Sequence, residues 1–180
     1  MQNSVSILGL SGRLVLSIMQ LSLRRKGDYA VRAMISVGRH HGTGLRQARQ
    51  ISTEMHIPYK TLTLILAGLV AERLLIAVHG PKGGYRLARE PEEITLLDIV
   101  EAAEGPATFD HCVLRDGPCD WEETCPVHDT WARTQDALIR ELAATTLAEI
   151  AAIDAAIEDG TYQPAASPHT QPTSRHGIRN

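Results

Sequence analysis

Between Lys26 and His41 the apolar residues Ala30, Val31, Ala33, Met34 and Val37 recur at helical spacing, and Gly42-Thr43-Gly44 breaks the run. A first helix of about four turns is expected there. Leu45, Ala48, Ile51 and Met55 mark a second amphipathic stretch, Leu45 to Met55, and Leu62, Ile65, Leu66 and Leu69 mark a third. The third opens at Ile57-Pro58, and proline is tolerated in a first helical turn. Only His56 separates the second from the third, so these helices must meet at a sharp angle, as in a helix-turn-helix. Leu74 to Val78, then His79-Gly80-Pro81-Lys82-Gly83-Gly84, then Tyr85-Arg86-Leu87 read as strand, turn and strand of a hairpin. Three helices and a hairpin, in that order, predict a mainly α fold: a winged helix-turn-helix with a small β-hairpin wing.

Past Pro91, Thr95 is positioned to cap a short helix that ends at Gly105-Pro106. Residues 107 to 125 lose all periodicity and contain every cysteine. From Pro126 a long helix resumes, with Val127, Trp131, Leu138 and Leu142 at spacings of four and seven. Thr146-Leu147-Ala148-Glu149 has the form of a capping box, which starts a further helix running to about Glu158. The apolar stripe of the long helix has two readings: packing against its own domain, or a dimerisation surface for a second copy. The expected layout is a winged helix-turn-helix over 19–89, a linking helix over 90–106, a cysteine loop over 107–128 and dimerisation helices over 129–159. Residues 160–180, rich in Pro, Ser, Thr and His, are expected to form a disordered tail.

At 180 residues and 43% hydrophobic content, the chain can bury one compact core with a smaller appendage. The overall charge of -3 conceals an asymmetry. Residues 19–89 hold twelve Lys or Arg against Asp28, Glu54 and Glu72, a net of +9, whereas residues 90–160 carry a net of -15. An electropositive face that attracts phosphates is thus joined to an acidic half with another role. No run approaches the roughly eighteen apolar residues of a membrane span, and the first residues lack the basic start of an export signal. Three cysteines, an odd number, then suit a reducing cytoplasm better than a disulfide framework.

In a helix-turn-helix the third helix enters the major groove by its first turns, here Tyr59, Lys60, Thr61 and Thr63. The wing offers His79, Lys82 and Arg86 to phosphates, with Gly83 and Gly84 permitting close backbone approach. Arg24 and Lys26, ahead of the first helix, complete the expected contacts with double-stranded promoter DNA. Cys112-x6-Cys119-x5-Cys125 could gather three thiolates on one centre, unlike the paired Cys-x2-Cys of common zinc sites. His128, three residues after Cys125, and Asp28, arriving from a partner subunit, compete for a fourth ligand position. A zinc site and three unligated thiols stay open at this point. No nucleophile-base pair and no phosphate-binding loop ahead of a helix is found, so neither an enzyme nor a small-molecule substrate is expected.

The run Lys26-Gly27-Asp28-Tyr29-Ala30-Val31-Arg32-Ala33, the stretch Ile51 to Leu75, the wing Gly80 to Leu87, Glu93 to Val100 and the three-cysteine loop together closely resemble the Rrf2 family. The resemblance covers residues 19 to about 158. It implies a cytoplasmic homodimer binding palindromic promoter sites, many members being repressors, with an iron-sulfur cluster (2Fe-2S or 4Fe-4S) on the three cysteines whose state sets DNA affinity. Cys125-Pro126-Val127-His128-Asp129-x-Trp131 looks like the family's iron-sulfur assembly regulators, in which a His at this offset completes the cluster. Asp28 matches the acidic position that its nitric-oxide-sensing repressors use across the dimer. Three departures stand out. His56 replaces the usual turn Gly, Thr63 replaces a Glu that tunes site choice, and six residues rather than five separate the first two cysteines. Members usually begin near Met19, which makes residues 1–18 an extension or an overlong gene start. The competing reading is a thiol- or zinc-based redox regulator without a cluster.

Overall fold

The computed structural model describes residues 24–107 and 124–164. Three helices come first, α1 (Arg25–Gly38), α2 (Ala48–Glu54) and α3 (Tyr59–Ala71), followed by strands β1 (Leu75–Val78) and β2 (Gly84–Leu87). A 3-10 turn (Pro91–Glu93) leads into α4 (Leu96–Glu104), and α5 (His128–Ala144) and α6 (Leu147–Glu158) complete the described chain. The strands form an antiparallel hairpin in which Leu75 faces Leu87 and Val78 faces Gly84. This is the winged helix that the periodicity predicts. Among the described residues, no helix is long and apolar enough to cross a membrane.

One core serves the whole molecule. Ala30, Ala33 and Met34 of α1 pack with Ile51 of α2 and with Leu62, Leu66 and Leu69 of α3. Leu75 and Leu87 close the core from the wing, while Ile94, Ile99 and Leu147 enter from the linking segment, α4 and α6. Each buried side chain of this size contributes about 1.5–3 kcal/mol relative to exposure.

Several helix ends depart from the sequence reading: α2 ends at Glu54 and α3 starts at Tyr59, so four residues and not His56 alone separate them, and α5 starts at His128 rather than Pro126. α1 stops at Gly38 because His40 and His41 donate their amides three residues back, to Val37 and Gly38, which tightens the chain into turns. α2 begins at Ala48 rather than Leu45 because Arg46 is already engaged: its amide and carbonyl pair with Tyr85 at 2.9 and 2.8 Å, an isolated antiparallel bridge to the wing. Gln47 and Gln50 then share a capping box.

The starts of α4 and α6 are tied together. Thr95 and Asp98 cap α4 reciprocally, as Thr146 and Glu149 cap α6. Leu96 N–H donates to the Thr145 carbonyl and Leu147 N–H to the Ile94 carbonyl, both at 2.8 Å. At the far end of α6, Arg39, which follows the last residue of α1, pairs with Asp154 at 3.0 Å and grips Glu158. The hydrogen bond from Arg39 holds the Glu158 carboxyl below the usual carboxylate range. Its share in fastening α6 is therefore present above that range and fades as pH falls through the lowered value. α5 buries no residue fully, and Val127, Ile153 and Ile157 remain exposed along α5 and α6. Beyond Glu158, the amides of Thr161 and Tyr162 return to the Ala156 carbonyl. The remainder of the expected tail, 165–180, lies outside the described residues.

His56 occupies the left-handed region at φ 53°, the conformation that the sharp turn between α2 and α3 requires and that a side chain disfavours. His56→Gly removes that strain and is expected to raise stability by about 1 kcal/mol. Equilibrium urea denaturation should show a higher midpoint with an unchanged slope.

Candidate nucleic-acid interface and sensor loop

The turn at His56 sets α3 across α2 and leaves the start of α3 open to solvent. Tyr59, Lys60 and Thr61 are exposed, as sequence reasoning expects of groove-entering residues. Thr63 is half-buried, and its hydroxyl donates to the Lys60 carbonyl at 2.9 Å, so that donor is already spent. Two further exposed features lie on this surface. Arg49 of α2 lies over the Tyr59 ring at 5.6 Å, a cation-π contact that orders both side chains. Leu64, the one exposed leucine of α3, projects outward.

In the wing, His79, Lys82 and Arg86 are exposed. The structure supplies Gly83 and Gly84 with an internal reason to lack a side chain. A Cβ on Gly83 would stand 2.2 Å from the Val78 carbonyl oxygen, and one on Gly84 would stand 2.7 Å from that of Arg46. Wing and helix-turn-helix are further joined by Glu54 of α2, which accepts from Ser36 at 2.7 Å and pairs with Arg46.

At the start of α1, Arg24 and Lys26 are exposed and Gly27 is buried. Gly27 N–H donates to Glu104 Oε1 at 3.1 Å, fixing the last residue of α4 on the first turn of α1. A carboxylate suits this place because unpaired amides and the helix dipole make it positive. The next turn out, Ala107 N–H donates to Glu101 at 2.9 Å. The last residue of α4 is therefore fixed beside the first turn of α1, three residues ahead of Ala107.

Cys112 and Cys119 lie outside the described residues. Cys125 is half-buried, and its carbonyl accepts from His128 N–H at 3.2 Å, placing both residues in the turn that opens α5. Asp28 instead forms an ion pair with Arg32 at 2.9 Å. One turn into α5, the Trp131 indole N–H is buried without an acceptor among the described residues. No three His, Cys, Asp or Glu come together among those residues as a metal would require, and two of the three thiols in question are not among them.

The family model Rrf2, described as an iron-dependent transcriptional regulator, matches residues 23–153. An HTH-type transcriptional regulator of Mycobacterium tuberculosis is 30% identical over 158 residues, spanning 87% of this chain and 96% of the relative. Among solved structures, CymR, the global cysteine regulator of B. subtilis, has a TM-score of 0.63 at 28% identity, covering 74% of this chain and 98% of its own. IscR of T. potens has a TM-score of 0.61 at 29% identity, covering 81% and 96%.

The close approach at Gly84 gives a direct check on the wing. Gly84→Ala drives a Cβ against the Arg46 backbone and is expected to cost about 1–3 kcal/mol, the usual range for overpacking. Thermal unfolding followed by circular dichroism should show the lowered midpoint with helical content kept at low temperature.

Proposed function

This chain belongs to the Rrf2 family of transcriptional regulators, which are DNA-binding proteins and not enzymes, and on that premise we propose that it is a homodimeric repressor whose promoter affinity is set by an iron-sulfur cluster on Cys112, Cys119 and Cys125. The observation that carries the proposal is the hydrogen bond from Gly27 to Glu104, which roots the cysteine loop on the same helical turn that presents Arg24 and Lys26.

The donor set suits such a group. Three thiolates and an imidazole are the ligands iron-sulfur centres take, and the Trp131 N–H lacks the kind of acceptor that a sulfide or thiolate provides. The family description, iron-dependent, points the same way. For the fourth ligand the geometry favours His128, which shares a turn with Cys125, over Asp28, which would have to leave Arg32. When bound, the cluster supplies an iron centre open to oxidation, nitrosylation or loss. The remaining steps belong to the chain. Gathered thiolates hold the two roots of the loop, Ala107 on Glu101 and Cys125 ahead of α5, at a fixed span. Cys112, Cys119 and Cys125 would hold the cluster, and any change in the span they set would reach Arg24 and Lys26 through the Glu104 contact with Gly27. Bases are read by Tyr59, Lys60 and Thr61, with Thr63 left only an acceptor because its hydroxyl donates to Lys60, and phosphates are met by His79, Lys82 and Arg86, with the backbone of Gly83 and Gly84 between them.

Two copies supply the two recognition helices that a palindromic site needs. The unburied face of α5, with Ile153 and Ile157 of α6, is the apolar surface suited to joining them. The likeness to a global cysteine regulator keeps a second reading, in which the same thiols respond to oxidants directly or hold zinc.

Anaerobic purification with iron and sulfide counting decides between these. The proposal expects both elements together with thiolate-to-iron absorption, lost in Cys125→Ser; zinc alone, or no metal, supports the second reading. His128→Ala should lower iron content more than Asp28→Ala does. Glu104→Ala should keep the cluster yet erase the difference in promoter affinity between loaded and unloaded protein, measured by fluorescence anisotropy at fixed salt.

A further inference from the structure

Leu62, Leu66 and Leu69 of α3 are almost wholly buried, yet Leu64 is 76% exposed, the most exposed of the large hydrophobic residues described. It lies one turn past Lys60 on the same outward line of the helix, and the exposed Ala67 and Ala71 continue that line. None of these three apolar side chains can form a hydrogen bond. Their neighbour Thr63 has turned its hydroxyl inward onto the Lys60 carbonyl at 2.9 Å. Past its first turn, the outward line of α3 is therefore apolar. Its surroundings are cationic, with Lys60 on the same line and Arg49 held over Tyr59, and that charge suits a polyanion rather than a second apolar protein surface.

A helix in the major groove meets base edges made of hydrogen-bond donors and acceptors, with a single apolar feature, the C5-methyl group of thymine. An exposed leucine presented there has one favourable partner. We propose that Leu64 is a specificity-determining residue: its side chain packs on a thymine methyl, so the protein selects thymine at one position of each half-site by apolar contact. The inference rests on α3 being the groove-entering helix, as set out above. Burying one methyl is worth about fourfold in affinity, and about fifteenfold when both half-sites contribute.

The test starts with selection of duplexes from a pool with a randomised central segment, using the full-length homodimer. The selected duplex is then rebuilt with deoxyuridine in place of each thymine in turn, which removes the methyl and keeps every hydrogen-bonding group. Wild-type protein is expected to weaken about fourfold at one symmetric position per half-site. Leu64→Ala should bind the thymine and uracil duplexes equally while retaining its salt sensitivity, and Leu64→Met should restore the preference. Equal wild-type affinity for all the uracil duplexes, or an unchanged uracil penalty in Leu64→Ala, overturns the role of Leu64 while leaving DNA binding intact. Failure of the wild type to bind any duplex in a salt-dependent manner overturns the groove-entering reading together with it.

Discussion

α1 has to be covered on several sides at once, and its sequence is built for that. Ala30 and Ala33 have no exposed surface, and Gly27 is also buried. A Cβ at Gly27 would lie 2.4 Å from Glu104 Oε1, so any other residue there would push the Glu104 carboxylate aside. Small residues bring α3, α4 and α6 close enough to share one core around the helix. The consequence is mechanical. The DNA-reading head and the segments that carry the cysteine loop have no separate cores, and a shift of α4 is felt by α1.

A polar knot makes the same joint directional. Glu54 accepts from Ser36 and pairs with Arg46, and its other oxygen lies 3.8 Å from Arg39, which reaches on to Asp154 and Glu158 of α6. Arg39, Arg46 and Glu54 are each about four-fifths covered. Half-buried ion pairs add little net stability once desolvation is counted, but removing one member strands the others. Their effect is to fix orientation: α2, the bridge at Arg46 and the end of α6 meet at one place. Because Arg46 also bonds to Tyr85, the wing is set by the same group that sets the helix-turn-helix. The exposed start of α3 and the wing tip are thereby held in a single frame, which the proposed simultaneous contact with bases and phosphates would need.

Much of this was legible along the chain. The stripes Leu62-Ile65-Leu66-Leu69 and Ala30-Ala33-Met34-Val37 state the buried faces of α3 and α1, because helical period and burial are local properties of the sequence. Thr95-x-x-Asp98 and Thr146-x-x-Glu149 mark two helix starts for a similar reason: a capping box closes within four residues. A sharp turn between the second and third helices was expected from their closeness in the chain; four residues, Met55 to Pro58, rather than His56 alone form it, and His56 adopts the left-handed backbone within it. The charge division between the two halves needed only counting.

Other features had no local signal. Arg46 reads as part of a helix until Tyr85, thirty-nine residues later, takes its backbone. Gly27 looks like an ordinary early helix residue until Glu104 arrives. The sequence by itself therefore determined the family, the order of the elements and the buried faces. Tertiary structure alone decided which side chains of those elements meet residues far along the chain. The reason is that periodicity and caps depend on neighbours within a few residues, whereas the Gly27–Glu104 contact and the Arg46–Tyr85 pairing exist only once distant segments are packed together.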